Sequence, residues 1–328
     1  MWVVRYEVVP LLLMGSHHGH VHGPTSGTRL WVSLAVTLLF CAGEAVAGWW
    51  SHSLALLSDA GHNVSDAVAL GLAAYAVAAM QKPAGGRHTY GYLRVSTLTA
   101  LFNSSTLVVI ALGIGFAAVA RFRHPEPVAG SLMIGVAAVS VLMNTVIALL
   151  LAGDAKHSLN SRAAFIHMLG DALSAAAVVV AGIVVRYTGW LYADPLVSVL
   201  IAAFILWSAV GILREASDVL MEKAPKNLDP ERLAGSIGEI EPVCGVHDLH
   251  VWTMGEGQHL LSCHIALPGS HTLLETTAVV ERIRRMLHTD FGIEHTTIQP
   301  EEDGLCRFSH RQSLFCSMEA HSHAGHSH

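Results

Sequence analysis

The feature that most limits what this chain can become is a succession of six long apolar runs, at approximately residues 30–50, 54–80, 95–120, 129–152, 163–186 and 195–213. A helix of about 20 apolar residues crosses a bilayer core roughly 30 Å thick, and each run approaches that length. Only 13% of the 328 residues are charged, against 52% hydrophobic. Soluble domains carry roughly 25% charge, so the runs read as membrane spans. Charges gather after Arg214 and in short stretches between the runs, which separates a membrane part from a polar part. The expected order is a His-rich N-terminal segment (1–28), six transmembrane helices (29–214), a small α+β domain (215–302) and a Cys/His-containing tail (303–328). A net charge of −6 provides no basic footprint for nucleic acid.

The loops set the orientation. With the N-terminus inside, the cytoplasmic flanks hold Arg29, Lys82, Arg87, Arg94, Lys156, Arg162 and Arg214, against Arg121, Arg123 and Arg186 outside. The excess of Lys and Arg marks the cytoplasmic side, so both termini are expected there. The opening MWVVRYEVVPLLL is too short to span and is followed by no A-x-A-like cleavage site, so Met14 is read as the start.

After Ala224 the pattern is that of a soluble α-β-β-α-β module. Asp229, Pro230 and Glu231 form an N-cap, a first-turn proline and an acidic first turn, predicting a helix through about Ile240. VHDLHVWTM (246–254) and HLLSCHIAL (259–267) alternate as strands around a GEG turn. Thr272 to His288 carries amphipathic spacing that ends at Gly292, and EHTTIQPE supplies a last strand. A core this small gains from dimerisation.

Glu44, Asp59, His62, Asp66, Asn103, Asn144, His167 and Asp171 all fall inside apolar runs. An ionisable group at that depth costs about 2.5–3.5 kcal/mol on insertion scales, so each marks a candidate site. SDAGHNVSDAVAL in the second run and FIHMLGDALSA in the fifth both contain His-x-x-x-Asp, as His62/Asp66 and His167/Asp171. Residues four apart share a helix face. In antiparallel spans packed face to face, His62 is level with Asp171 and Asp66 with His167. Four nitrogen and oxygen ligands so placed suit tetrahedral Zn²⁺, whereas calcium or magnesium wants six or more oxygens. One turn before His62, Asp59 could hold its imidazole, form part of the outer vestibule, or serve helix packing; Glu44 could do likewise. Asn103 and Asn144 read as interhelical hydrogen-bonding amides.

Of 22 histidines, His17, His18, His20 and His22 precede the first run, and His321, His323, His326 and His328 close the chain. Such tracts bind metal or belong to a tail or tag. Five cysteines (Cys41, Cys244, Cys263, Cys306, Cys316) do not form a disulfide framework, which leaves thiols free for metal in a reducing compartment. An intramembrane zinc enzyme would need a catalytic base beside an open metal position, and no H-E-x-x-H occurs. A membrane-tethered metal sensor would not need a full ligand set inside the bilayer.

SLALLSDAGHNVSDAVAL, RHTYGYLRV, RAAFIHMLGDALSA, TGWLYADPLVSVLIA, GVHDLHVW and IEHTTIQPE, in this order, resemble the cation diffusion facilitators, and among them the bacterial zinc exporters. The resemblance covers almost the whole chain. It implies a homodimeric metal/proton antiporter of the bacterial inner membrane with a metallochaperone-like cytoplasmic domain, exporting zinc and also cadmium, with cobalt a further candidate. It also implies a cytoplasmic metal site of His247, His264 and Glu301, although histidines on an exposed strand are often ordinary surface residues. Relatives often carry a His-rich loop between spans four and five; here it is only GDAKHSLNSR, and the terminal histidines could take over metal delivery.

Overall fold

The computed structural model describes residues 27–153, 159–255, 257–302 and Leu314. The first unit contains α1 (Gly27–Ser51), α2 (Leu54–Met80), α3 (Val95–Arg123), α4 (Gly130–Leu151), α5 (Leu159–Thr188) and α6 (Ala193–Leu220). Among the described residues, α2, α3, α4, α6 and the Phe165–Thr188 part of α5 are each long and apolar enough to cross a membrane. Beside them, α1 is 25 residues long. The six runs thus become six helices, in an α-helical membrane domain.

Small residues hold the bundle together. Ala55, Ala111, Ala137, Ala181 and Ala209 are buried around Leu56, Met133 and Ile205, while Leu39, Val109, Phe116 and Leu150 face outward. With lipid as apolar as leucine, close backbone approach takes the place of hydrophobic drive. At the α4/α5 crossing, a Cβ on Gly130 would meet the Gly182 carbonyl at 2.9 Å, and one on Gly182 would meet Ile134 Cγ1 at 2.8 Å. Only glycine fits at either position.

Only His52 and Ser53 separate α1 from α2, and this corner is tied to α6. Ser53 caps α2 by accepting from Leu56 N, and its hydroxyl donates to Asp194 Oδ1 at 2.6 Å. Leu54 N and Ala55 N also donate to the Asp194 carboxylate, at 2.9 and 3.2 Å. Asp194 is fully buried at the start of α6, and Arg121 Nη1 lies 3.6 Å from it. Arg121 also donates to the His52 carbonyl and to Glu126. A carboxylate at the positive end of a helix, paired with arginine, is the arrangement that compensates its burial.

Beyond Arg214, where the apolar run ends, α6 continues to Leu220, and the first compact unit closes at Ala216. Arg214, Glu215 and Asp218 end the hydropathy without breaking the helix, since arginine and glutamate are good helix formers.

The second unit holds α7 (Pro230–Gly238), β1 (Gly245–Gly255), β2 (Gln258–Leu267), α8 (Leu273–Phe291) and β3 (Ile293–Glu302). Asp229 caps α7 through Glu231 N. Thr272 and Glu275 form a capping box on α8, which ends at Gly292 in the left-handed region at φ 66°. The strands lie in the order β1-β2-β3, the hairpin β1/β2 antiparallel and β2/β3 parallel, with α8 crossing between them. Leu233, Ile237, Leu249, Leu261, Ile265, Ile283 and Leu287 make the core. One contact was not legible in the sequence: the Leu314 carbonyl accepts from Leu249 N at 3.0 Å, and its side chain packs on this core.

Asp194→Ala should destabilise the membrane unit by about 3–5 kcal/mol, because it leaves three buried donors without their carboxylate and removes one partner of the partly buried Arg121. Thermal unfolding of the purified protein in detergent, followed by tryptophan fluorescence, should show a marked drop in midpoint. An unchanged midpoint would contradict the structural role given to this residue.

Candidate metal centre

On α2, His62 and Asp66 project from one face, one turn apart, and on α5 His167 and Asp171 do the same. The two helices run antiparallel, so the pairs interleave. His62 Nε2 lies 3.3 Å from Asp171 Oδ1 and 3.5 Å from Asp66 Oδ2. His167 Nε2 lies 3.4 Å from Asp66 Oδ2 and 3.6 Å from Asp171 Oδ2. Imidazole and carboxylate alternate around a closed ring. For an ion bound at 2.0–2.2 Å by four ligands, the edge of the tetrahedron is about 3.4 Å; single ligand atoms of His62, Asp66 and Asp171 lie within 4.8 Å of one another, and His167 meets the two carboxylates from the more exposed side, using the other oxygen of Asp171. One side of the ring is closed and the other open: side-chain exposure is 7% at Asp171 and 45% at His167.

The surroundings are polar but sparse. Asp59, one turn before His62, is hydrogen-bonded to Glu44 of α1 and Ser174 of α5, while His62 Nδ1 has no hydrogen-bond partner. Asp59 thus contacts α1 and α5 from the turn that precedes His62. Glu44 accepts from Asn63 Nδ2 at 2.9 Å. Asn103 accepts from Ser65 of α2 at 3.3 Å, an interhelical amide contact.

In the second unit, His247 and His264 face each other across the β1/β2 hairpin, their ring centroids 5.3 Å apart. Glu301 of β3 reaches both, at 3.3 Å from His247 Nε2 and 2.9 Å from His264 Nδ1. A register shift between His247 and His250 puts Asp248 at φ 52° and brings its carboxylate to 3.5 Å from His264 and 3.0 Å from His250. A bulge re-aims a side chain in this way, and aspartate tolerates the left-handed region. Sequence reasoning passed over Asp248; its signal was an acidic residue set between two histidines of one strand. Asp194 was passed over as well, and there the sequence held little beyond a lone aspartate before a proline.

Residues 30–221 match the cation efflux transmembrane domain, and residues 225–303 match the cytoplasmic domain of cation efflux proteins. The chain belongs to the cation efflux family. Similar proteins include a cadmium, cobalt and zinc/H(+)-K(+) antiporter of Bacillus velezensis, 34% identical over 96% of this chain and 100% of that protein. The zinc transporter ZitB of Pectobacterium atrosepticum is 36% identical over 96% of this chain and 99% of its own. ZitB of Escherichia coli is 38% identical over 88% and 93%. This is a cation efflux transporter and not an enzyme, as the order of its motifs led one to expect.

The cysteines of this cation efflux protein divide by environment. Cys41 and Cys263 are buried, and Cys244 is exposed. Cys263 is part of the β-sheet core, so it is not a thiol open to metal; apolar packing, rather than redox compartment, decides its role. Cys306, Cys316, the terminal histidine tracts and most of the loop between α4 and α5 lie outside the described residues. Burial, with the nearby Asp248 charge, pushes the Cys263 thiol up to about 12. A thiol held neutral is a poor nucleophile. Maleimide at mildly alkaline pH should modify Cys244 and leave Cys263 untouched in the folded protein, as read by peptide mass spectrometry. Comparable labelling of both would refute this placement.

Proposed function

We propose that this cation efflux transporter moves cytosolic Zn²⁺, and Cd²⁺ beside it, out of the cytoplasm in exchange for protons, with His62, Asp66, His167 and Asp171 as the transmembrane binding site. The observation that carries the reading is the ring of two imidazoles and two carboxylates spaced at 3.3–3.6 Å between two membrane helices. Two aspartates balance the charge of a divalent ion, which offsets the cost of holding it in an apolar bundle. Imidazole selects zinc over harder ions, and four ligands suit a d¹⁰ cation. The names of the relatives, zinc transporters and a cadmium, cobalt and zinc/H(+)-K(+) antiporter, support the same cargo and leave cobalt as a further one.

Zinc requires neutral imidazole and ionised carboxylate, so metal entry displaces protons from the tetrad and proton binding expels metal. Unperturbed histidine titrates near pH 6.5, within the range separating the cytoplasm from a mildly acidic exterior. On this reading the chain sits in the bacterial inner membrane with both termini in the cytoplasm. The second unit then collects or senses zinc at His247, His264 and Glu301, whose ligand atoms lie within 4.8 Å of one another. The modest core of that unit, and its match to the cytoplasmic domain of cation efflux proteins, support assembly as a homodimer.

Asp171→Ala removes one of four ligands and should abolish zinc flux into inverted proteoliposomes, with the protein still folded and inserted. Flux near the wild-type rate in such a preparation would sink the site assignment. In vesicles loaded with a pH dye, zinc uptake by the wild type should be accompanied by opposing proton movement and accelerate under an imposed proton gradient. A rate indifferent to the gradient, with no dye response, would remove proton coupling from the reading.

A further inference from the structure

Behind the tetrad lies a second pair of acids that the transport reading leaves unused. Glu44 of α1 and Asp59 of α2 are each 1% exposed, and their carboxyl groups lie within hydrogen-bonding reach of one another. Two ionised carboxylates have no hydrogen to share, so a hydrogen bond between them requires that one of the two is protonated. Among the described residues, no N–H or O–H group donates to Glu44 Oε1 or Asp59 Oδ2. The remaining polar partners are neutral: Asn63 donates to Glu44 Oε2, and Ser174 bonds Asp59. Asp59 and Asn63 are four apart on α2, so the Glu44 carboxyl is held between them from the neighbouring helix.

Among the described residues, no cation is paired with either carboxyl group. Against α1 pack α2 and α4; α4 contains no titratable residue, and α2 contributes Asp59, His62 and Asp66, with Tyr75 farther along it. From α5, Asp171 and His167 lie beyond Asp59, and α3 has no titratable side chain before Arg121. Cys41 lies on α1 itself, buried. Two negative charges in contact inside an apolar bundle repel strongly and cannot both persist.

We propose that Glu44 is a proton-binding site separate from the metal tetrad, its carboxyl O–H donating to Asp59 when zinc is absent and losing its proton when zinc occupies the tetrad. Three residues along α2 separate Asp59 from His62, about 4.5 Å of helix rise, so a divalent cation at the tetrad acts on the pair at short range through a medium of low polarity. The O–H bond of Glu44 breaks, the proton leaves to water, and the second negative charge that results is stabilised by the ion. Protonation from the far side reverses the step and weakens zinc binding by the same coupling, since linkage is reciprocal. The proposal rests on the zinc reading of the tetrad.

The test counts protons. Zinc is titrated into the purified full-length protein in weakly buffered detergent solution, with zinc bound and protons released measured together. Glu44→Gln, which keeps the shape of a protonated carboxyl but cannot lose the proton, should bind zinc at the wild-type stoichiometry and release about one proton fewer per tetrad filled, the loss expected of a single titrating group. Equal release by wild type and Glu44→Gln would overturn the proposal and leave the tetrad standing. Unchanged zinc stoichiometry in Asp171→Ala would instead overturn the tetrad reading. Should Glu44→Gln fail to fold, Asp59→Asn serves as the second variant, with the same expected loss. Infrared difference spectra of the wild type provide a readout that needs no variant: zinc should abolish a protonated-carboxyl C=O band, and the absence of such a band before zinc would refute the idea outright.

Discussion

What the membrane unit depends on is the cost of an uncompensated charge in an apolar bundle. Every ionisable group buried there is placed so that something answers it. Asp194 is answered by two backbone amides, a serine hydroxyl and Arg121. Asp66 and Asp171 are answered by His62 and His167. Glu44 and Asp59 have one another, Asn63 and Ser174. These three clusters differ in kind. The first is closed by a permanent cation and fixes the corner between α1 and α2. The second has no permanent cation, only groups whose charge follows protonation, which on the proposed reading leaves room for one from outside. The third has no cation at all.

That gradation gives a physical account of a site which must both bind and release. A divalent ion held by two fixed carboxylates and two arginines could never leave or never enter, whereas imidazoles adjust their charge within the physiological range. The asymmetric exposure of the ring, closed at Asp171 and open at His167, gives an ion one side by which to approach. Close helix contact at Gly130 and Gly182 lets α4 carry α5, which bears half of the tetrad.

In the second unit the same residue types are arranged on a sheet. His247 and His264 come together because an antiparallel hairpin places them opposite each other, and Glu301 because β3 returns parallel beside β2. Asp248 joins through a bulge. The apolar core of this unit includes the thiol of Cys263.

Much was legible in the sequence. Hydropathy marked the six helices because a bilayer demands runs of a set length, and four-residue spacing put His62 with Asp66 and His167 with Asp171, a matter of helix geometry alone. The α-β-β-α-β order followed from caps and alternation, down to Asp229, Thr272 and Gly292, since these signals are local. Only the tertiary structure could decide the rest. The end of α6 at Leu220 depends on helix propagation past the charges where hydropathy stops. The approach of Glu44 to Asp59 depends on how α1 packs against α2. Asp194 serves residues 139 to 141 positions away, and no periodicity encodes a contact of that range. Sequence patterns record the solvent each residue must face and the turn it sits on; which buried charge answers which is settled by helix packing, where contacts are non-local.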